Sequence, residues 1–139
     1  LFNTQAQFAL PETKGRWLEV ADGEQIERVV DSVRETLPTG GTSLHNAFGF
    51  LQELDSQPDN IFLITDGLPT QGQSAPRRNT VSGPARLKHY RDALRKLPNN
   101  VPVNVVLSPM EGDPAAASEF WKLAQETGGS FMAPAEDWP

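Results

Sequence analysis

The fold class of this 139-residue chain follows from one short run, Ile61-Phe62-Leu63-Ile64, which Thr65-Asp66-Gly67 brings to an end. Four consecutive apolar residues between turn-forming residues are typical of a strand that is buried on both faces, as in a parallel sheet. A carboxylate follows this strand almost at once. The run therefore predicts a buried strand with Asp66 at its carboxyl end.

Upstream of this strand the pattern predicts two helices. Asp22 and Gln25 have capping-box spacing, and apolar residues recur at three- and four-residue steps over 26–37, which predicts an amphipathic helix. A second helix follows the loop Gly40-Gly41-Thr42-Ser43, with apolar residues on one face over 44–54. Two partly alternating stretches before the helices, 7–10 and 16–20, predict a hairpin of short strands.

Downstream of Asp66, helices continue to alternate with strands. A polar loop over 68–83 precedes a helix opened by Pro84, and a strand is expected over 101–108. Asp113-Pro114 predicts the cap and first turn of a fourth helix, and Gly128-Gly129 predicts its end. A last strand is expected over 130–133. This order predicts an α/β fold with a parallel sheet covered on both faces.

Composition excludes several classes of protein. The length suits one domain over 1–139, and the net charge of −6 makes nucleic acid an improbable partner. No apolar run is long enough to span a bilayer, so no membrane contact is expected from this segment. The absence of cysteine excludes disulfides and thiolate metal sites, and the two histidines alone cannot form a zinc site.

The residues whose side chains could bind a ligand are expected at one edge of the predicted sheet. Ligands of open parallel sheets bind beyond the carboxyl ends of the strands, where Asp66, residues 108–113 and the Gly40-Gly41-Thr42-Ser43 loop are expected. Hydroxyl and carboxylate oxygens suit a hard cation such as Mg²⁺, Ca²⁺ or Mn²⁺. Capping of the following helix by a hydroxyl side chain explains the loop equally well when the loop is taken alone.

These residues resemble the von Willebrand factor A domain. In that family two segments contribute residues to a metal-ion-dependent adhesion site. One is a threonine loop, here Gly40-Gly41-Thr42-Ser43-Leu44, and the other is the end of a strand, here Thr65-Asp66-Gly67. The bacterial members look most similar, because Pro58-Asp59-Asn60 and Leu68-Pro69-Thr70-Gln71-Gly72 flank the aspartate. The resemblance implies a three-layer Rossmann-like fold, with a mostly parallel central sheet flanked by helices.

The resemblance also implies roles for individual residues. Thr42 and Asp66 would reach the metal ion or its water, while Gly41 and Gly67 would shape the two loops. The family's Asp-x-Ser-x-Ser motif is missing, and two oxygen groups are too few for a cation that wants about six ligands. We therefore expect Mg²⁺, Ca²⁺ or Mn²⁺ in a complete domain and weak binding or none in this chain.

The first, central strand of the family is missing from this chain as well. By the family's strand order it belongs between a strand ending at Asn3 and the strand 61–65, so the chain is expected to be truncated at its N-terminus and to have a gap in its sheet. We expect residues upstream to supply that strand in the native protein. An open sheet also favours self-association.

The function implied is that of a module that binds another protein and has no enzymatic activity. Ser43, Gly67, Arg77 and Arg78 are the expected partner-binding residues, and the partner would offer an acidic side chain; the two arginines also suit a solvated loop. A Ser43-His45-Asp66 hydrolase is disfavoured, because residues two apart on a helix face different ways. The alternative is a Rossmann-type nucleotide-binding or enzymatic domain, although no glycine-rich phosphate loop is present in these residues.

Overall fold

A computed structural model describes residues 1–21, 23–37, 39–76, 80–108 and 110–134. Four α-helices and three β-strands occur among these residues, and after the first two helices the strands alternate with helices in the predicted order. The helices are α1 (Glu24–Glu35), α2 (Leu44–Phe50), α3 (Gly83–Leu94) and α4 (Ala116–Thr127), and the strands are β1 (Ile61–Thr65), β2 (Val103–Leu107) and β3 (Phe131–Met132). Two short 3₁₀ turns occupy Pro11–Thr13 and Leu51–Glu53.

The three strands form an open parallel sheet in the order β1-β2-β3. Ile61 lies opposite Val103 at one end of the β1–β2 pair, and Thr65 lies opposite Leu107 at the other. The crossovers from β1 to β2 and from β2 to β3 each contain a helix, as parallel neighbours require. The predicted α/β class with a parallel sheet is confirmed.

The hydrophobic core lies on one face of this sheet. Leu63 of β1 and Val105 of β2 are opposite each other in the register and are both buried. They pack with buried side chains of α2, α3 and α4, among them Phe48, Tyr90 and Phe120. The three helices therefore cover the face to which the odd-numbered residues of β1 and β2 point.

The opposite face of the sheet is bare, so the prediction of a strand buried on both faces is wrong. Phe62 and Ile64 are 72% and 71% exposed, whereas Leu63 between them is 4% exposed. Successive side chains of a strand point to opposite faces, and no helix of the described residues covers the second one. The described part of the chain thus has two layers, and the expected third layer is not formed there.

Helix α1 forms where the periodicity predicts it but does not pack on the sheet. None of its residues is buried, and it makes no close backbone contact with any other helix or strand of the described residues. Ser32 donates a hydrogen bond to the Ala9 carbonyl, and Arg28 pairs with Glu12. Gly23 is the N-cap, without a side-chain hydrogen bond; Asp22, the predicted capping residue, lies outside the described residues.

The predicted hairpin over 7–10 and 16–20 is wrong. Residues 1–10 instead form a turn with one isolated bridge between Phe2 and Ala6, and no strand occurs over 16–20. Two short strands with no further partner are marginal in water, so local propensity alone does not hold such a pair together.

None of the described helices has the length and apolar character needed to cross a bilayer.

Candidate functional site

The Thr42 loop is held by backbone hydrogen bonds to the segment that follows β1. The Thr42 N–H donates to Thr70 Oγ1 at 2.8 Å, and the Thr42 carbonyl accepts from the N–H groups of Thr70 and Gln71 at 3.0 and 3.1 Å. The Gln71 side chain is buried and donates to the Thr4 carbonyl at 3.2 Å. A Cβ on Gly41 would lie 2.9 Å from both Thr70 Oγ1 and Gln71 Oε1, which explains glycine at that position.

Ser43 caps helix α2 and does not face the solvent. Its Oγ accepts from the Asn46 N–H at 3.1 Å and donates to the Gly72 carbonyl at 2.7 Å. The residue is 0% exposed. The capping interpretation of this hydroxyl is confirmed, and because a partner cannot reach a fully buried side chain, Ser43 holds the loop instead of contacting a partner.

Asp66 leaves the end of β1 with its backbone fixed by the loop after β2. The Thr65 carbonyl accepts from the Ser108 N–H at 2.9 Å, and the Asp66 carbonyl accepts from the Met110 N–H at 3.2 Å. The Asp66 residue is exposed. Its carboxylate makes no hydrogen bond or ion pair with any described side chain or backbone group, so it is available to a ligand.

A buried ion pair between Asp113 and Arg86, which we call the clasp, holds Leu68, the residue after the Asp66-Gly67 turn. Asp113 Oδ2 accepts from the Leu68 N–H at 2.7 Å and lies 2.9 Å from Arg86 Nη2. Arg86 in turn donates to the Leu68 carbonyl from Nε at 3.1 Å and from Nη2 at 2.5 Å. The two side chains are 4% and 13% exposed, so both backbone groups of Leu68 are held by charges shielded from water.

The clasp corrects the sequence interpretation of Asp113 and explains Gly67. Asp113 makes no side-chain cap to α4, whose N-cap is Ala115. A Cβ on Gly67 would lie 2.7 Å from Asp113 Oδ2 and 3.1 Å from Arg86 Nη2. Gly67 is buried, and its role is to let the clasp close over the turn. No local pattern signals this contact, because Leu68 and Asp113 are 45 positions apart.

The side chains predicted to converge, Thr42 and Asp66, line one groove. Its volume is about 570 Å³, and its remaining lining residues are Leu1, Phe2, Phe62, Ile64, Thr65 and Ser108. We call it the rim groove. Thr42 is half-buried, and its hydroxyl has no hydrogen-bond partner among the described residues. The rim groove thus presents a hydroxyl and a carboxylate beside the apolar side chains of the bare sheet face.

A second groove, of about 310 Å³, lies beside the same strand and is almost wholly apolar. Leu1, Phe2 and Phe62 line it as well as the rim groove, and it continues between α2 and the N-terminal segment. We call it the apolar groove. Its further lining residues are Ala6, Gln7, Phe8, Ala9, Ala47, Phe48, Phe50, Leu51, Leu54, Ile61 and Leu63.

The rim groove does not contain the donor set of a divalent cation. Among the described residues that line it, Asp66 is the one carboxylate, and Thr42, Thr65 and Ser108 are neutral hydroxyl residues. No cluster of three or more His, Asp and Glu side chains that could hold a metal ion occurs among the described residues. Mg²⁺ and Ca²⁺ need about six or more oxygen ligands, so the residues present do not fit such an ion.

His45 is separated from Asp66 in the structure. It lines a polar cleft of about 300 Å³ with neighbours such as Asn46, Glu53 and Lys96, and neither Thr42 nor Asp66 lines that cleft. The Ser43 hydroxyl is buried in its cap. The structure therefore does not assemble Ser43, His45 and Asp66 into a catalytic set.

Two of the predicted partner-binding residues, Arg77 and Arg78, lie outside the described residues. Of the sequence-predicted site, the structure brings Thr42 and Asp66 to one groove, whereas Ser43 caps α2 and Gly67 leaves room for the Asp113–Arg86 pair.

No family model, no curated protein and no solved structure matches this chain.

Proposed function

We propose that this chain is a protein-binding module of the von Willebrand factor A type, and that its contact surface is the rim groove. One observation carries the proposal. Thr42 and Asp66 come from loops distant in sequence, yet both line this groove with oxygens that no described residue satisfies. Loops at the carboxyl edge of a parallel sheet are where ligands of such folds bind.

The surroundings of these two side chains favour a protein as the ligand. The rim groove places Phe62 and Ile64, which are 72% and 71% exposed, beside Asp66. Exposed apolar side chains with a polar rim are typical of protein contact surfaces. The proposed activity is binding and not catalysis, because the candidate nucleophile Ser43 is buried and His45 lies in another cleft.

The proposal does not depend on a metal ion. Because the described donors do not fit Mg²⁺, Ca²⁺ or Mn²⁺, we propose that this chain binds these ions weakly or not at all. An acidic partner side chain would then meet the Asp66 carboxylate without a bridging cation, and the two like charges would repel each other. A neutral or basic partner group suits the groove better.

A photo-crosslinking experiment tests the proposal. The photoreactive residue p-benzoyl-phenylalanine replaces Ile64 in one chain and Trp121 of α4, which is 49% exposed and lines neither groove, in a matched control. Each chain is expressed in its native cells and irradiated, and the adducts are identified by mass spectrometry. We expect a discrete protein adduct from position 64, with a lower yield when Asp66→Ala is added, because an exposed charge pair contributes about 0–1 kcal/mol.

Asp66→Ala leaves the fold intact in this design, because an exposed residue without partners costs within about 0.5 kcal/mol when replaced. Identical adducts from positions 64 and 121, or no protein adduct from position 64, would contradict the proposal. A thermal shift with NAD or ATP tests the nucleotide-binding alternative: a rise in Tm that grows with nucleotide concentration would favour that alternative.

A further inference from the structure

A cleft of about 300 Å³, which we call the polar cleft, lies over α2 and is separate from the rim groove. His45, Asn46 and Gly49 of α2 line it. Glu53 from the 3₁₀ turn after α2 and Lys96 from the segment after α3 line it as well. No described residue lines both cavities, so the proposed protein contact at the rim groove does not explain the polar cleft.

Hydrogen bonds from Asn46 fix two walls of the polar cleft. Its Nδ2 donates to the Thr4 carbonyl at 2.8 Å and to the Gln73 carbonyl at 3.2 Å. The buried Gln71 side chain donates to the same Thr4 carbonyl at 3.2 Å. The N-terminal segment and the loop after β1 are therefore held against α2. The polar cleft is formed without a ligand, as small-molecule sites usually are.

Gly49 keeps space open in the polar cleft. It lies within α2, and the cap residue of that helix is Leu51, so Gly49 does not end the helix. A Cβ at position 49 would meet no described atom within 4 Å, and Gly49 is not among the residues with positive φ. Alanine would therefore fit and would favour the helix, because glycine loses more conformational freedom on folding. The fold does not require this glycine, whereas a ligand in the cleft benefits from the space.

Two opposite charges line the polar cleft without neutralising each other. Neither the Glu53 carboxylate nor the Lys96 ammonium forms an ion pair or hydrogen bond with any described residue. A ligand with one cationic and one anionic group can pair with both charges. A ligand with a single charge attracts one of them and repels the other.

We infer that the polar cleft binds a free amino acid in its zwitterionic form. Its ammonium group meets Glu53, and its carboxylate meets Lys96. The ligand is small, because a volume of about 300 Å³ is at the lower end of the range for small-molecule sites. This inference goes beyond the proposed function and does not rest on the rim groove.

An NMR titration of the ¹⁵N-labelled chain tests the inference. The probes are glycine, the smallest amino acid, and L-glutamine, whose side chain is polar like the cleft. We expect at least one of them to shift the amide signals of Asn46 and Gly49 in a saturable way. If neither probe shifts these signals, the inference is overturned.

Analogues of L-glutamine test whether both charges of the ligand are needed. N-acetyl-L-glutamine lacks the ammonium group, and L-glutaminamide lacks the carboxylate. Each should bind about 1.5- to 5-fold more weakly than L-glutamine, as expected when one exposed ion pair is lost. Equal binding of L-glutamine and both analogues would overturn the inference.

Charge-removing variants test the two protein groups. Glu53→Gln and Lys96→Gln should each weaken binding about 1.5- to 5-fold. Lys122→Gln is the matched control, because the Lys122 side chain is 56% exposed on α4 and does not line the polar cleft. It should bind the probes like the unmodified chain. Equal losses in the Lys96 and Lys122 variants would overturn the inference.

Substitutions of Gly49 test the role of the open space. Gly49→Leu fills the cleft and should weaken binding at least tenfold, while the remaining amide signals show that the fold is kept. Gly49→Ala should raise Tm, because the helix gains a residue with less freedom to lose. Undiminished binding by Gly49→Leu, or a lower Tm of Gly49→Ala, would overturn the inference. Photo-crosslinking from position 64 should be the same in Gly49→Leu as in the unmodified chain, since the two sites are separate.

Discussion

Ser43 shows how a single side chain can hold a loop that other residues use. Its Oγ serves two backbone groups, the Asn46 N–H and the Gly72 carbonyl, in a fully buried position. We expect Ser43→Ala to lower the free energy of unfolding by about 1–3 kcal/mol, because a cap is lost and a buried carbonyl loses its donor. Urea denaturation measures this loss.

Ser118→Ala is the control for Ser43→Ala. Ser118 is exposed, and its hydroxyl donates to the Ala115 carbonyl within its own helix at 3.1 Å. Its replacement should change the unfolding free energy by no more than about 0.5 kcal/mol. Equal effects of the two substitutions would show that Ser43 does not hold the loop as described.

Tyr90 makes the free energy of unfolding depend on pH in the alkaline range. Its hydroxyl donates to the Glu119 carbonyl at 2.9 Å, and burial, followed by the charges of Glu119 and Glu126, raises the pKa of Tyr90 well above its usual value near 10. The folded state therefore keeps the proton that the unfolded state releases. The stabilisation is complete below about pH 10 and is lost as the pH rises beyond it.

Comparison with Tyr90→Phe tests this pH dependence. At pH 7 the variant should be less stable by about 1 kcal/mol, because the Glu119 carbonyl loses its donor, and the difference should shrink above pH 10. Urea titrations from pH 7 to 11 measure both effects. Tyr90 is the only tyrosine, so tyrosinate absorbance near 295 nm reports on it alone. Parallel stability profiles for the two proteins would contradict the prediction.

At the scale of elements, the clasp between Arg86 of α3 and Asp113 before α4 connects both helices to the turn after β1. Asp113→Ala would leave the Arg86 charge buried without its partner and the Leu68 N–H without an acceptor. We expect a loss of about 3–5 kcal/mol in the free energy of unfolding, measured by urea denaturation.

An exposed ion pair provides the control for the clasp. Asp31 and Arg34 of α1 are 3.5 Å apart, with side chains 68% and 75% exposed. Asp31→Ala should cost about 0–1 kcal/mol, because water screens and solvates the remaining charge. If Asp113→Ala cost no more than Asp31→Ala, the clasp would not hold the turn.

Most elements were predictable because their signals are local. The apolar periodicity of α1, the cap at Ser43 and the left-handed Gly128 that follows α4 each depend on residues within one or two turns of each other. The hairpin over 7–10 and 16–20 failed for the same reason: its local pattern was suitable, but strand formation needs partners that the local sequence does not specify.

For the whole molecule, the one-sided sheet predicts opposite costs at neighbouring residues. Leu63→Ala should lower the free energy of unfolding by about 2–5 kcal/mol, because Leu63 is 4% exposed and packs in the core. Ile64→Ala should cost no more than about 0.5 kcal/mol, because Ile64 is 71% exposed. Urea denaturation of the two variants measures the difference, and equal losses would show that both faces of β1 are covered.

Apart from the hairpin over 7–10 and 16–20, the sequence by itself determined which segments become helices or strands, because period, capping and turn residues act over a few positions. The alternation of strands and helices also indicated that the strands run parallel. The sequence likewise indicated that Thr42 and Asp66 would meet at one edge, since parallel strands end together. Only the tertiary structure decided that one sheet face stays bare and that Asp113 clasps Leu68 with Arg86. These features depend on contacts between residues far apart in the chain, and such contacts leave no periodic signal.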